Sequence, residues 1–281
     1  MFEQKVVLVT GASSGIGQAI ARTLAQRGHA VFGTSRHPTA PASTTGVQML
    51  PLDVRSDDSV RACVDAVIGS AGRIDVLVNN AGYVLAGAIE EATMEQAKDQ
   101  FETNFFGVMR MIKQVLPTMR KQGRGLIINI GSAAGFVPAP FVGLYNASKF
   151  AMEGFTETLY HELKPLNIRV SLIEPGFFKT DIGRNEQAGA NEIRDYDPWR
   201  QRAFAQMKRF EENAPDPTAV ARCVLRVVET QRAALRYPVG KDAIRYARLR
   251  RLLPESMFLW GTRRVFRLDA GPSVNLEEQA Q

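Results

Sequence analysis

Short apolar runs and helix-length amphipathic stretches alternate along the first two thirds of the chain. The runs 6–9, 30–35, 47–52, 74–78, 126–130 and 169–173 are rich in β-branched residues and almost continuously apolar. That pattern predicts strands buried on both faces. Between them, 15–27, 57–70, 93–121 and 145–163 carry the spacing of helices. Strands alternating with helices at this interval predict a doubly wound parallel sheet, a three-layer α/β/α arrangement of Rossmann type. After Pro175 the pattern breaks. The stretch 176–217 is polar, with Asn185 and Gly189, and reads as a partly helical, mobile insertion over the sheet, a substrate lid. A helix over 218–231, a last strand over 234–238 and a basic helix over 242–253 follow, the last with Tyr246, Leu249 and Leu253 on one side.

Composition narrows the class. The 281 residues are 45% hydrophobic, enough for one core, and the expectation is a single domain with a variable C-terminal segment over 241–281. Cys63 and Cys223 lie far apart and in no metal-ligand spacing, so neither a disulfide framework nor a metal site is expected. The chain shows no signal-peptide pattern and no run of membrane-spanning length, and the expected compartment is the cytoplasm. Net charge is +6. Eight cations between Lys241 and Arg267 stand against Asp242 and Glu255, a surplus of six that accounts for all of it. The remainder is balanced, which argues against a general nucleic-acid binder.

The first strand runs directly into TGASSGIG, Thr10 to Gly17. Glycines at 11, 15 and 17 leave room for a pyrophosphate at the opening of a helix, where N–H groups and the positive dipole end await an anion. The second strand ends in Ser35-Arg36 with no acidic residue. An acid there would take a ribose 2′-hydroxyl, whereas an arginine accommodates a 2′-phosphate, so the expected cofactor is NADP(H). Tyr145 and Lys149 fall at i and i+4, one face of a helix. On its own such a pair is an ordinary packed ring beside a solvated stem. With a nearby ammonium favouring the phenolate, it becomes a proton-transfer pair.

These motifs, with Asn79-Asn80-Ala81-Gly82 after the fourth strand, Ser132 after the fifth, Asn104 in the long helix and Pro175-Gly176 followed by Thr180, resemble the short-chain dehydrogenase/reductase family. The resemblance covers roughly residues 5–181 in order. It implies Tyr145 as general acid in reduction and base in oxidation. Lys149 would lower the Tyr145 pKa and hold the nicotinamide ribose, Ser132 would hold the substrate oxygen, and Asn104 would anchor a water. It also implies a cofactor site of Gly11, Ser13, Ser14, Gly15, Ile16, Gly17, Ser35, Arg36, Asp53, Val54, Asn80, Ala81, Gly82, Tyr145, Lys149, Pro175, Gly176, Phe178 and Thr180. Dimers or tetramers through the helices over 93–121 and 145–163 follow from the resemblance alone.

The substrate is less legible. Phe136, Phe141 and Phe177, with Val137, Pro138, Pro140 and Val142, suggest an apolar wall for a bulky ketone, aldehyde or alcohol. The length and tail are similar to the hydroxysteroid and retinol dehydrogenase branch. A nucleotide-binding regulator of the same fold would not need the four catalytic residues together; a dehydratase or epimerase remains compatible with them. The tail, where Met257, Phe258, Leu259 and Trp260 sit among arginines, fits a solvated face over a packed stripe, an anionic membrane surface, a pocket cover or an oligomer contact.

Overall fold

The computed structural model describes residues 3–38, 46–179 and 187–269. Along the chain lie β1 (Val6–Val9), α1 (Gly15–Gln26), β2 (Ala30–Ser35), β3 (Val47–Pro51), α2 (Asp57–Ala71), β4 (Val76–Asn79), β5 (Leu85–Ala86), α3 (Met94–Phe101), α4 (Gly107–Gln122), β6 (Gly125–Ile130), α5 (Gly143–Leu163), β7 (Ile168–Pro175), β8 (Gln187–Ala188), α6 (Asp197–Glu212), α7 (Thr218–Glu229), β9 (Arg236–Val239), α8 (Lys241–Leu252) and α9 (Glu255–Val265). Seven strands pair in the order β3-β2-β1-β4-β6-β7-β9, every pair parallel. This is the doubly wound, Rossmann-like sheet that the alternation predicts.

Side chains alternate across the sheet and feed two cores. Val6 and Leu8 of β1 pack with Val60 and Val64 of α2 and Val108, Met111 and Val115 of α4. Val7 and Val9 face the other way, onto Ile20 and Leu24 of α1 and Val220 and Val224 of α7. Leu8, Ile20, Leu24, Leu77, Ile127 and Ile128 are fully buried, and each contributes about 1.5–3 kcal/mol by leaving water. The last strand is tied in by charge. Arg236 of β9 reaches Glu153 and Glu157 of α5 and Glu174 of β7.

Two regions differ from the sequence pattern. The expected helix over 93–121 is interrupted by a π turn at Glu102–Phe106, which joins α3 to α4. Within 176–217, read as a partly helical insertion, lie α6, a helix of 16 residues, and β8, whose pairing with β5 was not expected. The stretch before α6 is fastened down. Arg200 pairs with the buried Glu91 at 2.6 Å, and Glu91 also accepts the Ile193 N–H at 2.9 Å. A second C-terminal helix, α9, follows the basic helix α8.

Candidate active site

In a parallel sheet every strand ends on the same edge, so loops that follow different strands converge there. The chain reverses direction across the sheet between β1 and β4, the switch point where α/β sheets open a crevice. A cleft of about 1050 Å³ lies at that edge. Its lining includes Gly11 after β1, Ser35 and Arg36 at the end of β2, Asp53 and Val54 after β3, Asn80 to Gly82 after β4, Ser132 after β6, and Pro175 to Phe178 at the end of β7.

The glycine turn is held by its neighbours. Thr10 Oγ1 accepts the Asn80 N–H at 2.9 Å and the Ala81 N–H at 3.0 Å. Asn80 Nδ2 donates back to the carbonyls of Thr10 and Gly11, each at 3.0 Å. Gly11 has φ +66, and a Cβ there would stand 2.9 Å from Ala81 Cα, so only glycine fits. α1 opens at Gly15, and Ser14 at its N-cap makes no side-chain cap. The first N–H groups of the helix are therefore left without an internal partner, at the cleft wall formed by Ser13, Ser14, Gly15 and Ile16. This shape fits a dinucleotide pyrophosphate. Among the described residues, Gly17 is the exception in the expected cofactor set. It does not line the cleft, because it is buried where a side chain would overlap the Gly11 carbonyl, and its role is close helix packing.

Tyr145 and Lys149 both face the cleft from α5. Lys149 is 8% exposed; its Nζ donates to the Ile130 carbonyl at 2.9 Å and stands 5.8 Å from the Tyr145 ring centre. Burial pushes the Lys149 pKa down to about 8. Burial also raises the pKa of Tyr145, and a hydrogen bond with Ser132 opposes that rise. This corrects the expectation that Lys149 lowers the tyrosine. Its amine is turned to Ile130 over the ring, and desolvation dominates. Ser132 Oγ is also fixed by accepting the Ala134 N–H at 3.1 Å.

Asn104 sits in the π turn, 2% exposed. Its Oδ1 accepts the Tyr83 N–H at 3.1 Å, and its Nδ2 donates to the Tyr83 carbonyl at 3.0 Å and to Ser148 Oγ at 3.2 Å. It therefore links the loop after β4 to α5 from behind the cleft lining. Asp53 Oδ1 accepts the Arg55 N–H at 2.9 Å, and Val54 packs against Gly107. Phe178 is buried at the cleft wall, whereas Thr180 lies outside the described residues.

Of the expected apolar wall, Phe177 lines the cleft, as do Val137 and Val142, but Phe136 and Phe141 do not. Phe141 has φ +60 and turns its ring onto Tyr196 and Phe204. The apolar lining is completed by residues that sequence reasoning missed: Phe204, Met207 and Phe210 of α6, Tyr246 of α8, and Val265 and Phe266 at the end of α9. Phe204, Met207, Lys208 and Glu211 share one helical stripe, a signal present in the sequence.

A sheet of this order with a glycine cradle and a tyrosine–lysine pair facing one cleft defines a nucleotide-binding oxidoreductase. The family model for short chain dehydrogenase matches residues 5–191, and the chain belongs to that family. It is 40% identical to 3-ketodihydrosphingosine reductase of Bacteroides thetaiotaomicron over 93% of this chain and 97% of the relative. It is 36% identical to bovine retinol dehydrogenase 8, over 83% of this chain and 80% of that protein. Among solved structures, a short-chain dehydrogenase from Streptomyces avermitilis matches with TM-score 0.78 and 32% identity, covering 95% of this chain and 94% of the other. One from Burkholderia phymatum in complex with NAD matches with TM-score 0.75 and 26% identity, covering 98% and 99%. Among the described residues no helix is long and apolar enough to cross a membrane.

Proposed function

We propose that this oxidoreductase uses NADP(H) to interconvert a ketone or aldehyde and an alcohol on a bulky apolar substrate. The observation that carries the reading is the convergence of Ser132, Tyr145 and Lys149 on the same cleft as the glycine cradle. The nicotinamide, when bound, supplies or takes the hydride. Ser132 holds the substrate oxygen against Tyr145. With its pKa raised by burial, Tyr145 is protonated at neutral pH and serves as the acid that delivers a proton to that oxygen. Lys149 holds the nicotinamide ribose, and Asn104 keeps the Tyr83 loop and α5 in register.

Arg36 and Ser35 at the end of β2, with no carboxylate between them, support the 2′-phosphate form of the cofactor. The aromatic and aliphatic lining from α6 and α9 supports an apolar substrate. So do relatives named for 3-ketodihydrosphingosine and for retinol. In this reading the whole chain works as one domain, and 176–217 covers the substrate. Self-association through α4 and α5 belongs to the same reading; Phe106 before α4, Met109 on it and Phe150 on α5 are exposed.

The test is NADPH oxidation with a panel of apolar ketones and aldehydes. Tyr145→Phe is expected to lower kcat by at least ~100-fold with cofactor affinity unchanged, the scale of a lost general acid. Near-normal turnover in that variant refutes the assignment.

A further inference from the structure

The C-terminal helices carry two opposed faces. Inward, Tyr246 of α8 and Thr262 and Val265 of α9 form part of the cleft wall. Outward, apolar side chains stand in water. Leu252 is 79% exposed, Trp260 56% and Met257 53%. On α9, Met257, Trp260 and Arg264 fall at i, i+3 and i+7, opposite the buried Phe258. The Arg264 guanidinium lies 5.0 Å over the Trp260 ring. On α8, Lys241, Arg245 and Arg248 share a stripe and flank a shallow groove of about 370 Å³, floored by Ile244 and Leu249. Among the described residues Lys241, Arg245, Arg248, Arg264 and Arg267 have no carboxylate within 4.0 Å; Arg250 and Arg263 are the ones paired, with Glu255 and Asp269. The region 241–267 also holds the chain's whole excess of positive charge.

Exposed indole, thioether and leucyl side chains rimmed by unneutralised arginines match the boundary of an anionic bilayer. There the apolar groups reach the acyl chains while the cations meet headgroup phosphates. We propose that the outer face of α8 and α9 docks on an anionic lipid surface. A second copy of this chain is the poorer occupant. A two-fold contact would set the same arginines opposite one another, and like charges repel. Because the same helices wall the cleft, docking places its apolar side next to the membrane. That consequence rests on the apolar-substrate reading; the docking itself does not, and is measured without turnover.

The experiment uses the full chain and sedimentation with phosphatidylcholine vesicles, with and without phosphatidylglycerol. Binding is expected only with the anionic lipid, and falling as salt is raised. In a Trp199→Phe background, Trp260 emission is expected to shift to the blue on the anionic vesicles. Joint reversal of Arg245, Arg248 and Arg264 to Glu is expected to weaken binding at least ~10-fold while the melting-temperature rise produced by NADPH is kept. If that variant does not fold, the salt dependence and the Trp260 shift of the otherwise native chain decide the matter. Absence of binding, equal binding to neutral vesicles, an unmoved Trp260 spectrum or undiminished binding by the folded variant overturns the proposal. So does a result in which the face instead mediates self-association or retains duplex DNA with no affinity for vesicles.

Discussion

In the proposed reading, the cofactor preference turns on Arg36. It is exposed at the end of β2, beside Ser35, and both line the cleft. A guanidinium that pairs with the 2′-phosphate gives a charge-assisted contact of about 1.5–3 kcal/mol, or ~10–100-fold in affinity. Arg36→Asp should therefore raise the KM for NADPH by ~10–100-fold and leave NADH equal or better. Steady-state kinetics with both cofactors reads this directly, and an unchanged KM for NADPH removes Arg36 from the site. The residue was legible because a strand end fixes its place in the fold. The state of Tyr145 was not, because the i, i+4 spacing gives proximity but not direction. Lys149 Nζ is turned to the Ile130 carbonyl, and the tyrosine is governed by burial and Ser132.

At the scale of the element, α5 carries a cost that pH can reveal. Lys149 has its pKa lowered from 10.5 to about 8 because the folded chain buries it. Between those values the unfolded chain binds more protons than the folded one, so stability rises with pH across the window. Below about 8 the full cost of burying the ammonium is present; it is relieved as pH approaches 10.5. Compared with Lys149→Met, the cofactor-free wild-type protein should gain up to about 3 kcal/mol of relative stability over that range. Urea unfolding of both proteins on each side of the window measures it, and a pH-independent difference contradicts the assignment. Tyr145 works in the opposite sense only above its ordinary value of 10, so the lower part of the window belongs to the lysine. The buried strands were readable because the sheet is covered on both sides, which imposes continuous apolar runs on β1, β4 and β6. The π turn around Asn104 was not readable, since a shift of one hydrogen-bond register leaves no compositional mark. The bounds of α6 within the partly helical insertion were not readable for a different reason. Its charged residues outnumber its apolar ones, and the stripe of Phe204 and Met207 is short.

On the scale of the molecule, the C-terminal segment both lines the cleft and is tied to its wall by a carboxylate. Asp242, in the first turn of α8, accepts the Phe177 N–H at 2.8 Å. A side chain at Gly176 would overlap that carboxylate, and the Gly176 N–H donates to the Val239 carbonyl at 2.9 Å. The Pro175–Phe178 wall of the cleft is thus clamped between β9 and α8. The tail read, among other things, as a cover for the pocket, but this particular coupling was invisible in the sequence, where 65 positions separate Asp242 from Phe177. If the clamp holds the wall, Asp242→Ala should leave the Phe177 N–H without its charged acceptor and cost about 1–3 kcal/mol of stability. It should also raise the KM for NADPH, since the wall it releases is part of the proposed cofactor site. Asp242→Asn keeps an acceptor oxygen and should restore most of both. Denaturant unfolding together with KM and kcat separates the alternatives. A purely structural Asp242 would lower stability in the alanine variant without moving KM, whereas the clamp requires both to move together and both to return in the asparagine variant.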